Sequence, residues 1–187
     1  MSESKECDQR QKFLHDAFLT SSMTASMQRS PTYCDTVAET RKKKFRASLR
    51  CELEKIASRF YRNHEKVNDD RHEQNICELA KTITACHRDI LHRGQFRIGS
   101  AQKCLNLYLK YLWCVGEIAE PPHCPFDNLV VDKLGSEFAE CRWTKLDDIQ
   151  KYKDMVAAAR TMAGKESLAK WELELWNRRN NPPKPSR

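Results

Sequence analysis

Between Arg93 and Lys103 the chain reads Arg93-Gly94-Gln95-Phe96-Arg97-Ile98-Gly99-Ser100-Ala101-Gln102-Lys103, which sets glycines and cations directly ahead of a strongly apolar stretch. A glycine-bearing loop that opens into a helix leaves the first backbone N–H groups unpaired at the positive end of the helix dipole, a chemistry suited to phosphate. Arg93, Arg97 and Lys103 flank that start, and Gly99 and Ser100 stand at its centre. The alternative reading of the same residues is an ordinary capped helix start with solvated cations. Farther along, Asp127 follows the proline bend Pro121-Pro122-His123-Cys124-Pro125. A carboxylate can stabilise the positive charge that develops on a sugar when a glycosidic bond breaks, and Asp before a short helix is equally a common N-cap.

Two other constellations carry chemistry on paper. Arg59 and His64 stand five positions apart, an arginine suited to phosphate and a histidine suited to proton transfer. Cys114, His123, Cys124 and Cys141 have the right atoms for zinc, but no Cys-x2-Cys knuckle is present, so no metal and no cofactor are assigned.

Residues 96–135 resemble the second half of the helix-hairpin-helix DNA glycosylases. The likeness is carried by Ile98-Gly99-Ser100-Ala101-Gln102-Lys103, the apolar helix after it, and Pro125-Phe126-Asp127-Asn128-Leu129-Val130-Val131-Asp132-Lys133-Leu134-Gly135. The resemblance implies that Gly99 belongs to a hairpin gripping DNA backbone through its amides. It implies also that Asp127 is the catalytic carboxylate, supported by Leu129, Val130 and Leu134. Arg97 stands where that family's first hairpin glycine would be, and Ala101 holds the slot of its Schiff-base lysine, so the resemblance implies a monofunctional or non-catalytic member. The family extrudes its target base from the stack, and Tyr108, Tyr111, Trp113, Phe126 and Trp143 are candidate walls for such a base. The Arg59/His64 pair similarly resembles the arginine-x4-histidine signature of the helical HEPN ribonucleases, and implies a shared dimer cleft.

Helices must position these groups. Val37, Phe45, Leu49, Leu53, Ile56 and Phe60 fall on one helical face over about 35–66, with Lys42, Lys43 and Arg46 opposite. Asn68, Asp69 and Asp70 cap a second helix with a stripe from Ile76 to Ile90, ended by Gly94. Ser100 is the expected N-cap of a central helix that turns Ala101, Cys104, Leu105, Tyr108, Leu112, Val115 and Ala119 inward. The prolines stop it. Asp127 opens a short helix, Thr144 or Asp147 another that ends at Gly164, and Leu168, Trp171 and Leu175 pack a last one. The spacing predicts an all-α compact bundle of about six helices with flexible N- and C-terminal tails. Residues 1–32 are expected as the N-terminal tail, 33–179 as one helical domain and 180–187 as a basic, proline-rich tail.

The chain has 187 residues with 33 Lys and Arg against 26 Asp and Glu, a net charge of +7, and only 5 glycines. One core is the default at this length, and few β-branched residues or turn glycines argue against sheet. Six cations fall within Arg41–Arg50 without an acid. Such a run points to a polyanion, and nucleic acid, DNA in particular, is the expected partner. Nine cysteines without a signal sequence, and the lack of a long apolar run, point away from secretion and membranes toward the cytoplasm, with reduced thiols acting mostly as small buried groups.

Overall fold

In the computed structural model, residues 2–138 and 140–180 are described, and the expected tail at 181–187 lies outside them. Seven α-helices follow in order: α1 (Ser2–Met27), α2 (Glu39–Phe60), α3 (Asp69–His87), α4 (Ile98–Cys114), α5 (Asn128–Val131), α6 (Ile149–Ala163) and α7 (Leu168–Asn180). No strand occurs among the described residues, where a lone bridge joins Tyr33 to Leu91. The chain is an all-α bundle.

α4 is central, touching α1, α2, α3 and α6. Its Ala101, Cys104, Leu105, Tyr108, Leu109 and Leu112 are all fully buried, because apolar side chains recur around most of its circumference. Val115 was expected inward but lies beyond the helix end and is 48% exposed. α2 buries Phe45, Leu49, Leu53 and Ile56 and leaves Lys43 and Lys44 in solvent, as its spacing requires. It is shorter than expected and stops at Phe60. Asn68 caps α3 by accepting from the Arg71 amide, and Asp148, one residue past the expected Asp147, caps α6 by accepting from Gln150.

The largest difference lies at the N-terminus, where the body of the domain begins well before residue 33. α1 packs along α4, with Leu19 fully buried and Met23 nearly so. Its remaining inward positions are Ser22 and Ser26, whose hydroxyls donate to the Phe18 and Met23 carbonyls. Small self-satisfied side chains allow close helix approach without an apolar stripe, so the sequence offered little periodicity there. Phe18 stacks on Tyr111 at 5.1 Å.

No helix among the described residues is long and apolar enough to cross a membrane. The eight cysteines described are all unpaired, and Cys34, Cys51, Cys86 and Cys114 are exposed, so the expectation of mostly buried thiols holds only for Cys104, Cys124 and Cys141.

Candidate functional site

The residues just ahead of α4 and those around Asp127 line two separate hollows. Their divider is the stretch from Trp143 to Asp147, which lies across the start of α4. The Gly99 amide donates to the Leu146 carbonyl at 2.8 Å, and a Cβ at Gly99 would sit 1.8 Å from the Trp143 carbonyl oxygen. Gly99 is therefore needed for close approach of this chain's own backbone, which corrects the expectation that its amide grips an external anion. Ser100 is corrected likewise: it is inside α4 rather than capping it, is 2% exposed, and donates to the Ser30 hydroxyl at 3.4 Å.

On one side of the divider is a hollow of about 650 Å³ lined by Lys81, Arg88, Arg93 and Arg97, with Asp147 the acid among its lining residues. Arg97 precedes α4 and is nine-tenths buried. One terminal nitrogen donates to Asp147 at 3.1 Å, while Nε has no acceptor among the described residues. Arg93 is exposed and takes a left-handed backbone conformation at φ 55°, which a side-chain-bearing residue adopts at some cost. The basic run of α2 adjoins this end of the molecule. Arg41 pairs with Asp89 beside Arg88, and Lys42 lies over the ring of Tyr33, whose backbone bridges to Leu91. Lys43 is exposed, whereas Arg46 is paired with Glu39.

On the other side is a cleft of about 640 Å³ bounded by α4, α5 and α7. Lys103 belongs here rather than with the arginines, because its helix position turns it toward α5. Its ammonium lies 4.1 Å above the Trp143 ring and 3.9 Å from Asp127 Oδ2. Burial pushes the Lys103 pKa down; Asp127 pulls it up, and Arg29 adds to the lowering. Asp127 takes the N-cap role and also opens to the cleft. Oδ1 accepts from the Leu129 amide and caps α5, and the residue also lines the cleft.

A second lysine, Lys110, stands two turns along the same face of α4. It pairs with Glu172 of α7 at 2.6 Å, and both residues are at least nine-tenths buried. Burial outweighs Lys110 and holds the Glu172 carboxyl above its ordinary range. Trp176 completes this end of the cleft, with the Lys110 ammonium 5.5 Å from its ring centre. Of the expected aromatic walls, Tyr108, Phe126 and Trp143 are core residues with at most 1% exposure.

The loop that carries Asp127 is held from behind by a buried polar network. Gln102 accepts from the Phe126 amide at 3.1 Å and donates to its carbonyl at 2.9 Å. Asn106 donates to the Cys124 carbonyl and to the Tyr152 hydroxyl, and accepts from His72 Nε2 at 2.7 Å. Tyr61 donates to His72 Nδ1 and Tyr152 to His123 Nδ1, an assignment that satisfies each hydroxyl once as donor. His72 and His123 are fully buried with ring centres 4.5 Å apart. Burial, reinforced by the neighbouring His123, holds the His72 pKa well below its ordinary value. The network these residues form was missed in the sequence. The available signal was a pair of amides, Gln102 and Asn106, four apart inside an apolar helix, where each needs a partner.

The ribonuclease constellation does not assemble. α2 ends at Phe60, so Arg59 and His64 do not share a helix. His64 sits in a turn at φ 60°, exposed and outside the small hollow that Arg59 lines. Among the described residues no group of three or more His, Cys, Asp or Glu side chains is placed to hold a metal ion. No protein-family model matches the chain, and no curated protein or solved structure matches it.

Proposed function

We propose that the chain is a nucleic-acid-binding protein, with DNA the expected polymer, working through its basic end. The supporting observation is the hollow in which Lys81, Arg88, Arg93 and Arg97 face one acid, Asp147. Exposed cations concentrated around a concavity raise the local concentration of a polyanion and neutralise its phosphates on contact. Lys42 and Lys43 extend the same surface along α2. Since the Gly99 amide and the Ser100 hydroxyl are committed internally, side-chain cations carry the grip. Such contacts position a duplex without reading its sequence.

In fluorescence anisotropy with a labelled duplex, Arg88→Glu with Arg93→Glu should weaken binding by about tenfold or more, since two favourable phosphate contacts become repulsive. Unchanged affinity would remove the hollow from the interface. Because both side chains are removed from the core, circular dichroism should report an intact fold.

A second reading rests on the Asp127 carboxylate reaching an open cleft beside Lys103. In it, a nucleotide drawn out of the polymer enters the cleft and the carboxylate stabilises a sugar cation as its N-glycosidic bond breaks. Asp127→Asn keeps an acceptor for the Leu129 amide but loses the charge. Base release should then fall by at least about a hundredfold while binding persists. Retained base release would leave Asp127 as an N-cap only, and the chain as a non-catalytic binding or interaction protein.

A further inference from the structure

Lys110, Glu172 and Trp176 are given no role by either reading above, although they line the cleft into which the second draws a nucleotide. A buried lysine–glutamate pair lining an open cleft is a poor source of stability, because desolvating both ions offsets most of their attraction. The pair does present something a ligand can use: an ammonium donor and a carboxylate acceptor 2.6 Å apart, fixed side by side. That is the complement of a planar heterocycle with a ring carbonyl next to an N–H. Beside it, Trp176 is 46% exposed and offers an indole wall, whereas Trp143 is enclosed and already carries Lys103.

The mouth has a different character. Arg29 and Arg179 are both exposed and line the cleft as well as an adjoining depression lined also by Asn128, Asp132 and Lys133. Four cations of the cleft (Arg29, Lys103, Lys110, Arg179) face two acids (Asp127, Glu172), so the site prefers an anion. Lys103, whose pKa burial lowers first and nearby Arg29 lowers further, is separated from Lys110 by about 10 Å along α4, from seven residues at about 1.5 Å rise, a span that fits a ring at the Lys110 end and a phosphate at the Arg29 end. The volume of about 640 Å³ lies within the range of pockets that enclose small ligands.

We infer that this cleft is a binding site for a free nucleoside monophosphate: base against Trp176 with its edge on the Lys110–Glu172 pair, phosphate on Arg29 and Arg179. The inference requires neither nucleic-acid binding at the basic hollow nor chemistry at Asp127.

Calorimetric titration of the full chain with the common ribonucleoside monophosphates tests it, with the parent nucleosides, inorganic phosphate and a short single-stranded oligonucleotide as separate arms. At least one monophosphate should saturate a single site with Kd below about 1 mM, and its nucleoside and inorganic phosphate should each bind at least about tenfold more weakly. Trp176→Ala, and separately Arg29→Glu with Arg179→Glu, should each weaken it by about tenfold, and both alter exposed side chains. Arg88→Glu with Arg93→Glu should leave it unchanged, which separates this site from the proposed polymer surface. The inference is overturned by no saturable binding of any monophosphate, by binding indifferent to Trp176→Ala, or by an oligonucleotide that occupies the cleft where no monophosphate does.

Discussion

A methyl group on residue 99 would land 1.8 Å from the Trp143 carbonyl, and backbone cannot give way as a flexible side chain can. Gly99→Ala should therefore cost about 3 kcal/mol in denaturant unfolding, as over-packing at a closed contact does; a change below about 0.5 kcal/mol would mean the divider between hollow and cleft moves freely. This glycine stood out in the sequence for the opposite reason, as an amide open to phosphate. Residue type and spacing marked it as special, but what approaches it comes from a segment some 45 residues away in the chain, about which local pattern is silent. Asp127 was more legible. Proline, an aromatic, then Asp and Asn announce a capped helix start, and the carboxylate does cap α5. That it also reaches a cleft depends on Lys103 and α7.

At the scale of elements, α2, α3, α4 and α6 follow from apolar residues three and four apart, which fix each buried face before any partner is known. α1 escapes that logic. Its inner face is Leu19 and Met23 separated by serines, a pattern that on its own reads as a loose polar segment. If the helix is integral to the bundle, Leu19→Ala leaves a cavity against α4 and should cost about 3 kcal/mol in unfolding free energy. A mobile segment would show almost no effect. α7 presents the converse case. Its helix was legible from Leu168, Trp171 and Leu175, but Glu172 and Trp176 gained meaning only once α7 lay across the Lys110 turn of α4.

For the whole molecule, the buried network ties stability to pH. His72 has no exposure, and its pKa is well below 6.5 in the folded state, so the unfolded chain takes up a proton that the folded chain refuses. The stabilisation is full above the unfolded value of about 6.5 and is lost as pH falls beneath it, by up to about 1.4 kcal/mol per pH unit. His87, held down by burial and by Arg41, adds the same sign. Asp69 is depressed chiefly by His123, so its contribution is present above its ordinary range and fails only as pH drops through about 4. Urea midpoints measured from pH 7.5 to 5 should decline steadily below about 6.5. Constant midpoints would mean that the imidazoles are not sealed from solvent.

Charge is the other global property, and it bears on nucleic-acid binding most directly through ionic strength. The affinity for a DNA duplex, followed across a salt series for the wild-type chain and for Arg88→Glu with Arg93→Glu, should fall linearly on logarithmic axes with a slope of about 0.9 per phosphate neutralised. The double variant should bind more weakly, with a slope smaller by about two. An affinity that ignores salt, or equal slopes for the two proteins, would contradict a phosphate grip by the basic hollow.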